Sequence, residues 1–243
     1  MFFLIDTPMT SLKAYIDICR ISNLPTVWSN VLAAVILSGE PFSWGTFTVL
    51  ALSLSLFYSA GMALNDICDA GIDRVQRPTR PIPSGRITPV AAYLLTGGLF
   101  VAAFILLFVF PHISSVFSGF LLLLLIILYD VYHKGNPASV LLMAGCRAMV
   151  YVVAACAIVG TVSSTVLTVA MIQFGYIVCI SVTARYENHR ATPFPFPAIP
   201  LMLAGICLVD GIFLAVVMSP YWLAVGVCGM LLTLFGQRFV RGD

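Results

Sequence analysis

Asn65, Asp69 and Asp73 are spaced four residues apart, with Asp66 beside the first, in the stretch NDICDAGIDRVQRPTRPIPSGRI at residues 65–87. On a continuing helix this spacing stacks the side chains along one face. Oxygen donors crowded on one stripe repel each other, and a hard divalent cation removes that cost. Mg2+ suits such a stripe because it takes a few carboxylates and leaves positions for phosphate oxygens. Arg74, Arg77 and Arg80 follow at once, in a loop stiffened by Pro78, Pro81 and Pro83 and closed by Ser84 and Gly85. Guanidinium forks match phosphate oxygens, and a stiff loop loses less entropy when its ligand arrives. Acids alone would suggest a cation site, and bases alone a membrane-orienting loop. Together they suggest a diphosphate bridged to the protein through Mg2+.

The elements that carry this stretch are greasy. Of the 243 residues 60% are hydrophobic and only 9% charged, and the mean hydropathy is +1.04. Such values lie outside the range of water-soluble domains, so the chain is expected to be an all-α, multi-pass integral membrane bundle around a central cavity. Eight spans are expected, near 23–39, 44–65, 89–110, 113–131, 138–160, 164–184, 197–218 and 221–237. The loops alternate in kind. SGEPFSW, FPHISS, GTVSS and MSPYW are short and nearly uncharged, while the other set holds eleven of the twelve basic residues. The positive-inside bias makes the basic face cytoplasmic, with both termini on it. One domain over residues 1–243 is expected, in the bacterial inner membrane and with membrane lipids around it. Asp6 and Pro8 interrupt the first apolar patch, so no signal peptide is expected. The seven cysteines form no CxxC pair, which argues against a zinc site or a disulfide framework. Nothing points to nucleic acid, and the sequence carries no sign of oligomeric state.

Arg147 is the twelfth base. Counted from residue 138, it lies roughly 14 Å into the membrane, near the midplane. There it should face the bundle interior and find an anionic partner, either as a structural pair with Asp210 or as part of a functional site. Asp210 could equally line the cavity. Asp130 and Lys134 stand at i, i+4 and are expected to pair. His112 and His133 are expected to be no more than polar ends of helices. Tyr186 has the position of an interfacial anchor.

NDxxDxxxD followed by RPxRPIPSGRI closely resembles the first aspartate-rich motif of the UbiA superfamily of membrane prenyltransferases, here Asn65, Asp66, Asp69, Asp73, Arg77, Pro78, Arg80, Pro81, Ile82, Pro83, Ser84 and Gly85. The number of helices, the motif's place after the second and its cytoplasmic face are similar too. More loosely, ICRISNLPTVWSN resembles the family's first helix, which implies Asn23 at the diphosphate with Arg20 as neighbour. LYDVYHKGNP implies Tyr129 and Lys134 there as well, and GCRAMVY implies Arg147.

The resemblance implies a reaction. Mg2+ on Asn65, Asp69 and Asp73 would hold a polyprenyl diphosphate, with Asp66 beside it, while Asn23, Arg77, Arg80, Tyr129 and Lys134 bind the substrate. The allylic C–O bond ionises, and a lipophilic acceptor, usually aromatic, captures the cation. The family usually carries a second aspartate-rich motif after the sixth helix, where this chain has SVTARYENHRATPFPFP. Glu187 is its only carboxylate, among Arg185, His189 and Arg190. Arg185, supported by Arg190, or Arg147 would then replace the second metal, with Glu187 as the remaining catalytic acid. The ninth helix typical of the family is also expected to be missing. The alternative is a non-catalytic relative that binds or helps export a prenylated or diphosphate lipid or a secondary metabolite, and an ordinary secondary transporter ranks last.

Overall fold

The structure is a computed structural model that describes residues 8–134, 136–188 and 194–240. Every regular element among the described residues is helical: α1 (Pro8–Ile18), α2 (Leu24–Leu37), α3 (Trp44–Gln76), α4 (Pro89–Leu107), α5 (Ser114–Tyr132), α6 (Ser139–Val159), α7 (Ser164–Asn188), α8 (Ala198–Val217) and α9 (Trp222–Gln237), with a 3₁₀ turn at Ile21–Asn23 between α1 and α2. The eight expected spans correspond to α2 through α9. Six of them, α3 to α8, are long and apolar enough to cross a membrane, and the segments Ile21–Leu37 and Trp222–Gln237 are shorter apolar helices.

The length of α3 sets up everything that follows. Its 33 residues extend for about 50 Å at 1.5 Å per residue, well beyond a hydrocarbon layer of about 30 Å. The side chain of Ser43 caps its start by accepting from the Thr46 N–H, and the helix stops one residue before Arg77, which precedes a proline. The surplus turns carry Asn65 to Asp73 past the apolar part. Beyond them the proline-rich loop folds back, with Gly85 in the left-handed region at φ +75°, until the Thr88 side chain and Pro89 start α4.

α2 is the axial helix, packed by α3, α6, α8 and α9. Its Val27, Val31, Ala33 and Ala34 are fully buried, as are Leu50 on α3 and Tyr151, Val153 and Ala154 on α6. The outer faces of α4, α5 and α9 leave Val101, Ile105, Phe117, Leu124 and Leu231 exposed, as suits helices that meet lipid. Small residues bring α8 and α9 together: a Cβ on Gly211 would lie 2.7 Å from the Cα of Gly226. The two ends of the described chain meet at one face, since Lys13 of α1 and Phe239 beyond α9 line the same recess.

Candidate prenyl diphosphate site

The acidic stripe divides between two sets of bases. Asp66 and Asp73 turn toward the proline-rich loop, where the Arg80 Nη1 lies 2.6 Å from Asp73 Oδ2 and 3.3 Å from Asp66 Oδ1. Arg20 adds a second base, with Nη2 3.2 Å from Asp66 Oδ1. The backbone there adopts φ +46°, the one left-handed non-glycine residue among those described. That conformation is costly for a side-chain-bearing residue, and it occurs at the break between α1 and the 3₁₀ turn, where the guanidinium reaches α3. Asp69 instead faces the end of α5. Lys134 Nζ and His133 Nε2 lie 3.2 and 3.1 Å from its Oδ1, and Lys134 also donates to the Cys68 carbonyl at 2.5 Å.

Lys134 was expected on Asp130 and is found on Asp69. The i, i+4 pairing needs a helix that continues, and α5 ends at Tyr132, so the lysine leaves the helical register and crosses to α3. His133 exceeds its expected role as a polar end. Its Nδ1 lies 3.0 Å from the Asp130 carbonyl and its ring stacks on Tyr129 at 5.2 Å. The adjacent His-Lys pair at a helix end beside an acidic stripe was the available signal.

Two spaces adjoin the stripe. A polar recess of about 640 Å³ is lined by Lys13, Arg20, Asp66, Arg77, Arg80 and Arg86 among others. Arg77 is exposed, and Arg86 ties the loop to α1 through Asp17 at 2.8 Å. On the bundle side lies an apolar cavity of about 110 Å³, bounded by residues that include Phe57, Tyr58, Leu122, Tyr129 and Arg147. Asp130 also lines it. A side-chain hydrogen bond, Asn65 Nδ2 to Asp130 Oδ1 at 3.1 Å, joins the ionic mouth to this cavity.

A polar thread runs deeper. Gln237 donates to Asn23 Oδ1 and Asn23 Nδ2 donates to the Tyr58 hydroxyl, both at 3.2 Å. The Arg147 guanidinium sits over the Tyr58 ring, 5.6 Å from its centroid. Arg147 does not pair directly with Asp210. Its Nη1 donates to Asn30 Oδ1 at 3.1 Å, and Asn30 Nδ2 donates to Asp210 Oδ2 at 2.7 Å. Ser29 donates to Asp210 Oδ2 and the Tyr151 hydroxyl to Oδ1, so the carboxylate's oxygens are filled by neutral donors before the arginine arrives. Asn30, Tyr151 and Ser29 carried no signal in the sequence, because their partner is about 180 residues away for α2 and 59 for α6.

The end of α7 is built differently from the end of α3. Glu187 Oε1 accepts from the Phe194 N–H at 3.2 Å. Arg185 donates to the Asn136 carbonyl at 2.9 Å and to Ser139 Oγ at 2.7 Å, bracing the start of α6. His189, Arg190 and Arg241 lie outside the described residues. Electrostatics at the mouth reach a thiol as well: burial, with the Asp66 carboxylate adding to it, pushes Cys19 up to about 11.

The donor set suits a hard divalent cation in kind, since the stripe offers only oxygens and the Asn65 nitrogen is committed to Asp130, leaving its carbonyl oxygen for another partner. Asp130 Oδ2 is buried without a hydrogen-bond partner among the described residues. Among the described residues no three acidic, histidine or cysteine side chains are yet gathered as a metal cluster. The α3 carboxylates hold bases instead.

The sequence model of the UbiA prenyltransferase family matches residues 23–243. The chain belongs to this family. Among characterised relatives, a digeranylgeranylglyceryl phosphate synthase from Haloquadratum walsbyi is 35% identical over 134 residues, 52% of this chain and 44% of its own. The match thus spans under half of that relative's length. A solved structure from work on digeranylgeranylglyceryl phosphate synthase in membranes superposes with a TM-score of 0.65 at 17% identity, covering 94% of this UbiA chain and 87% of the other. A UbiA homologue from Archaeoglobus fulgidus, bound to GPP and Mg2+, gives 0.55 at 13% identity over 90% and 86%. At these identities the likeness is one of fold.

Proposed function

We propose that this chain transfers an isoprenyl group from a polyprenyl diphosphate to an aromatic or other small lipophilic acceptor, with Mg2+ as cofactor. The observation that carries this reading is the junction of Asn65 and Asp130, where a mouth of carboxylates and bases lies beside an apolar cavity. The two spaces match the two ends of the substrate in kind. Arg20, Arg80 and Lys134, which pair with the α3 carboxylates, would bind and orient a diphosphate, with Arg77 on the rim of the recess. Phe57, Leu122 and Tyr129 exclude water from the hydrocarbon side, which shelters an allylic cation. Asn65, Asp69 and Asp73 would hold Mg2+, and when bound it neutralises charge on the leaving diphosphate. The basic loops support a cytoplasmic mouth, as in a bacterial inner membrane protein.

The test is transfer of labelled geranyl diphosphate by the purified chain to 4-hydroxybenzoate or to a glyceryl phosphate ether, with Asp69→Asn beside it. Asp69→Asn should lower turnover at least about a hundredfold, and unchanged turnover removes the stripe from the reaction. A second reading, a relative that binds such lipids without transfer, is favoured by Glu187, which is engaged by a backbone N–H. It predicts thermal stabilisation by geranyl diphosphate with Mg2+ and no product from either acceptor.

A further inference from the structure

Asp130, in the last turn of α5, is 3% exposed, yet its Oδ2 has no hydrogen-bond partner among the described residues. Its Oδ1 accepts from the Asn65 amide at 3.1 Å. The other carboxylates of the mouth are all paired with bases: Asp66 with Arg20 and Arg80, Asp73 with Arg80, and Asp69 with Lys134 and His133. His133 stands next to Asp130 in space but directs its Nδ1 to that residue's main-chain carbonyl. Asp130 is therefore the one carboxylate of this group with no basic partner within ion-pair distance among the described residues. A buried carboxylate with one neutral donor is expensive, and such groups pair or coordinate a cation. This one lines the cavity wall at the junction with the stripe.

We propose that Asp130 is a ligand of the divalent cation, supplied by α5 and acting with Asn65 and Asp69. The inference rests on the Mg2+-dependent transferase reading and extends its metal site to a second helix. Three features support it. The Asn65 amide is turned with its nitrogen on Asp130, which leaves the carbonyl oxygen for a cation. Asp69 lies one helical turn along and is already linked to the end of α5 by His133 and Lys134. The orphaned Oδ2 is a hard oxygen of the type Mg2+ takes, in a number that leaves room for phosphate oxygens. Glu187, the acid at the end of α7, spends an oxygen on a backbone N–H and is not needed in this set.

The experiment measures Mg2+ binding to the full chain in detergent by calorimetry, with geranyl diphosphate present, alongside metal-free melting. Asp130→Asn is expected to weaken Mg2+ at least tenfold, while Glu40→Gln, in the exposed turn before α3, stays within twofold. Without metal, Asp130→Asn should melt at or above the wild type, because it removes a buried acid that has no basic partner among the described residues; a purely structural carboxylate would give the opposite. Unchanged Mg2+ affinity in Asp130→Asn overturns the proposal, as does a variant that melts well below the wild type or does not fold. A wild-type chain that binds no Mg2+ with geranyl diphosphate overturns the transferase reading itself, and the proposal with it.

Discussion

The Arg80 guanidinium stands 2.6 Å from Asp73 and 3.3 Å from Asp66, so one base spans two turns of α3. Both carboxylates are nearly inaccessible, and removing a shared base leaves two buried charges repelling each other. Arg80→Gln should destabilise the metal-free chain by about 3 kcal/mol. Excess Mg2+ should recover part of the loss, since a divalent cation supplies the missing charge. Melting curves with and without Mg2+ check both parts, and a loss insensitive to Mg2+ would mean that the stripe does not take the cation.

Lys134 contrasts with Arg80 because its side chain is 39% exposed. Its pair with Asp69 is screened by water, so Lys134→Gln should change stability by less than about 1 kcal/mol. Its effect should appear in binding: the half-saturating concentration of geranyl diphosphate should rise about tenfold, equivalent to about 1.4 kcal/mol. A calorimetric titration separates the two quantities, and unchanged affinity would assign Lys134 to the rim alone.

The acidic stripe and its arginine loop were legible because both are local. Residues four apart on one helix share a face wherever that helix lies, and prolines stiffen a loop without help from the rest of the fold. Which base met which acid was not legible. Arg80 reaches back seven residues, Arg20 comes from 46 residues upstream, and Lys134 from 65 downstream. The i, i+4 relation of Asp130 and Lys134 misled because α5 stops between them. Arg147 was rightly expected to face the interior, but its link to Asp210 runs through Asn30, an uncharged residue on another helix that nothing in the local pattern marked. The spans were legible to within a few residues, while the extra turns of α3 showed only in the polar spacing.

The Asn30 relay orders the consequences of two substitutions inside the bundle. Asp210 accepts from Ser29, Asn30 and Tyr151, and Asp210→Asn would turn an NH2 group toward some of those donors. A cost of about 2–4 kcal/mol is expected, from donors left unsatisfied. Arg147→Met removes one hydrogen bond to a neutral amide and one ring contact, and should cost about half as much or less. Denaturant titration of the two variants in the same micelles checks the order. The reverse order would mean that Arg147 compensates Asp210 directly.

Cys19 reports on Asp66 from the other side of the mouth. Burial first, and the Asp66 carboxylate second, raise its thiol from the usual 9.0 to about 11. At pH 8 the thiolate is then scarcer by about two orders of magnitude than in a free cysteine, and alkylation slows accordingly. The stability this thiol contributes is present below about pH 9 and is lost as pH rises through about 11, because the unfolded chain ionises first. Asp66→Asn removes the second cause, so site-resolved iodoacetamide labelling of Cys19 at pH 8 should accelerate while the exposed Cys179 and Cys228 keep their rates. Mg2+ with geranyl diphosphate should act in the same direction as the substitution, since a cation drawn to the stripe offsets the Asp66 charge. Equal labelling of wild type and variant would show that burial alone sets the thiol, and would leave Asp66 electrostatically silent at the position where Arg20 and Arg80 converge.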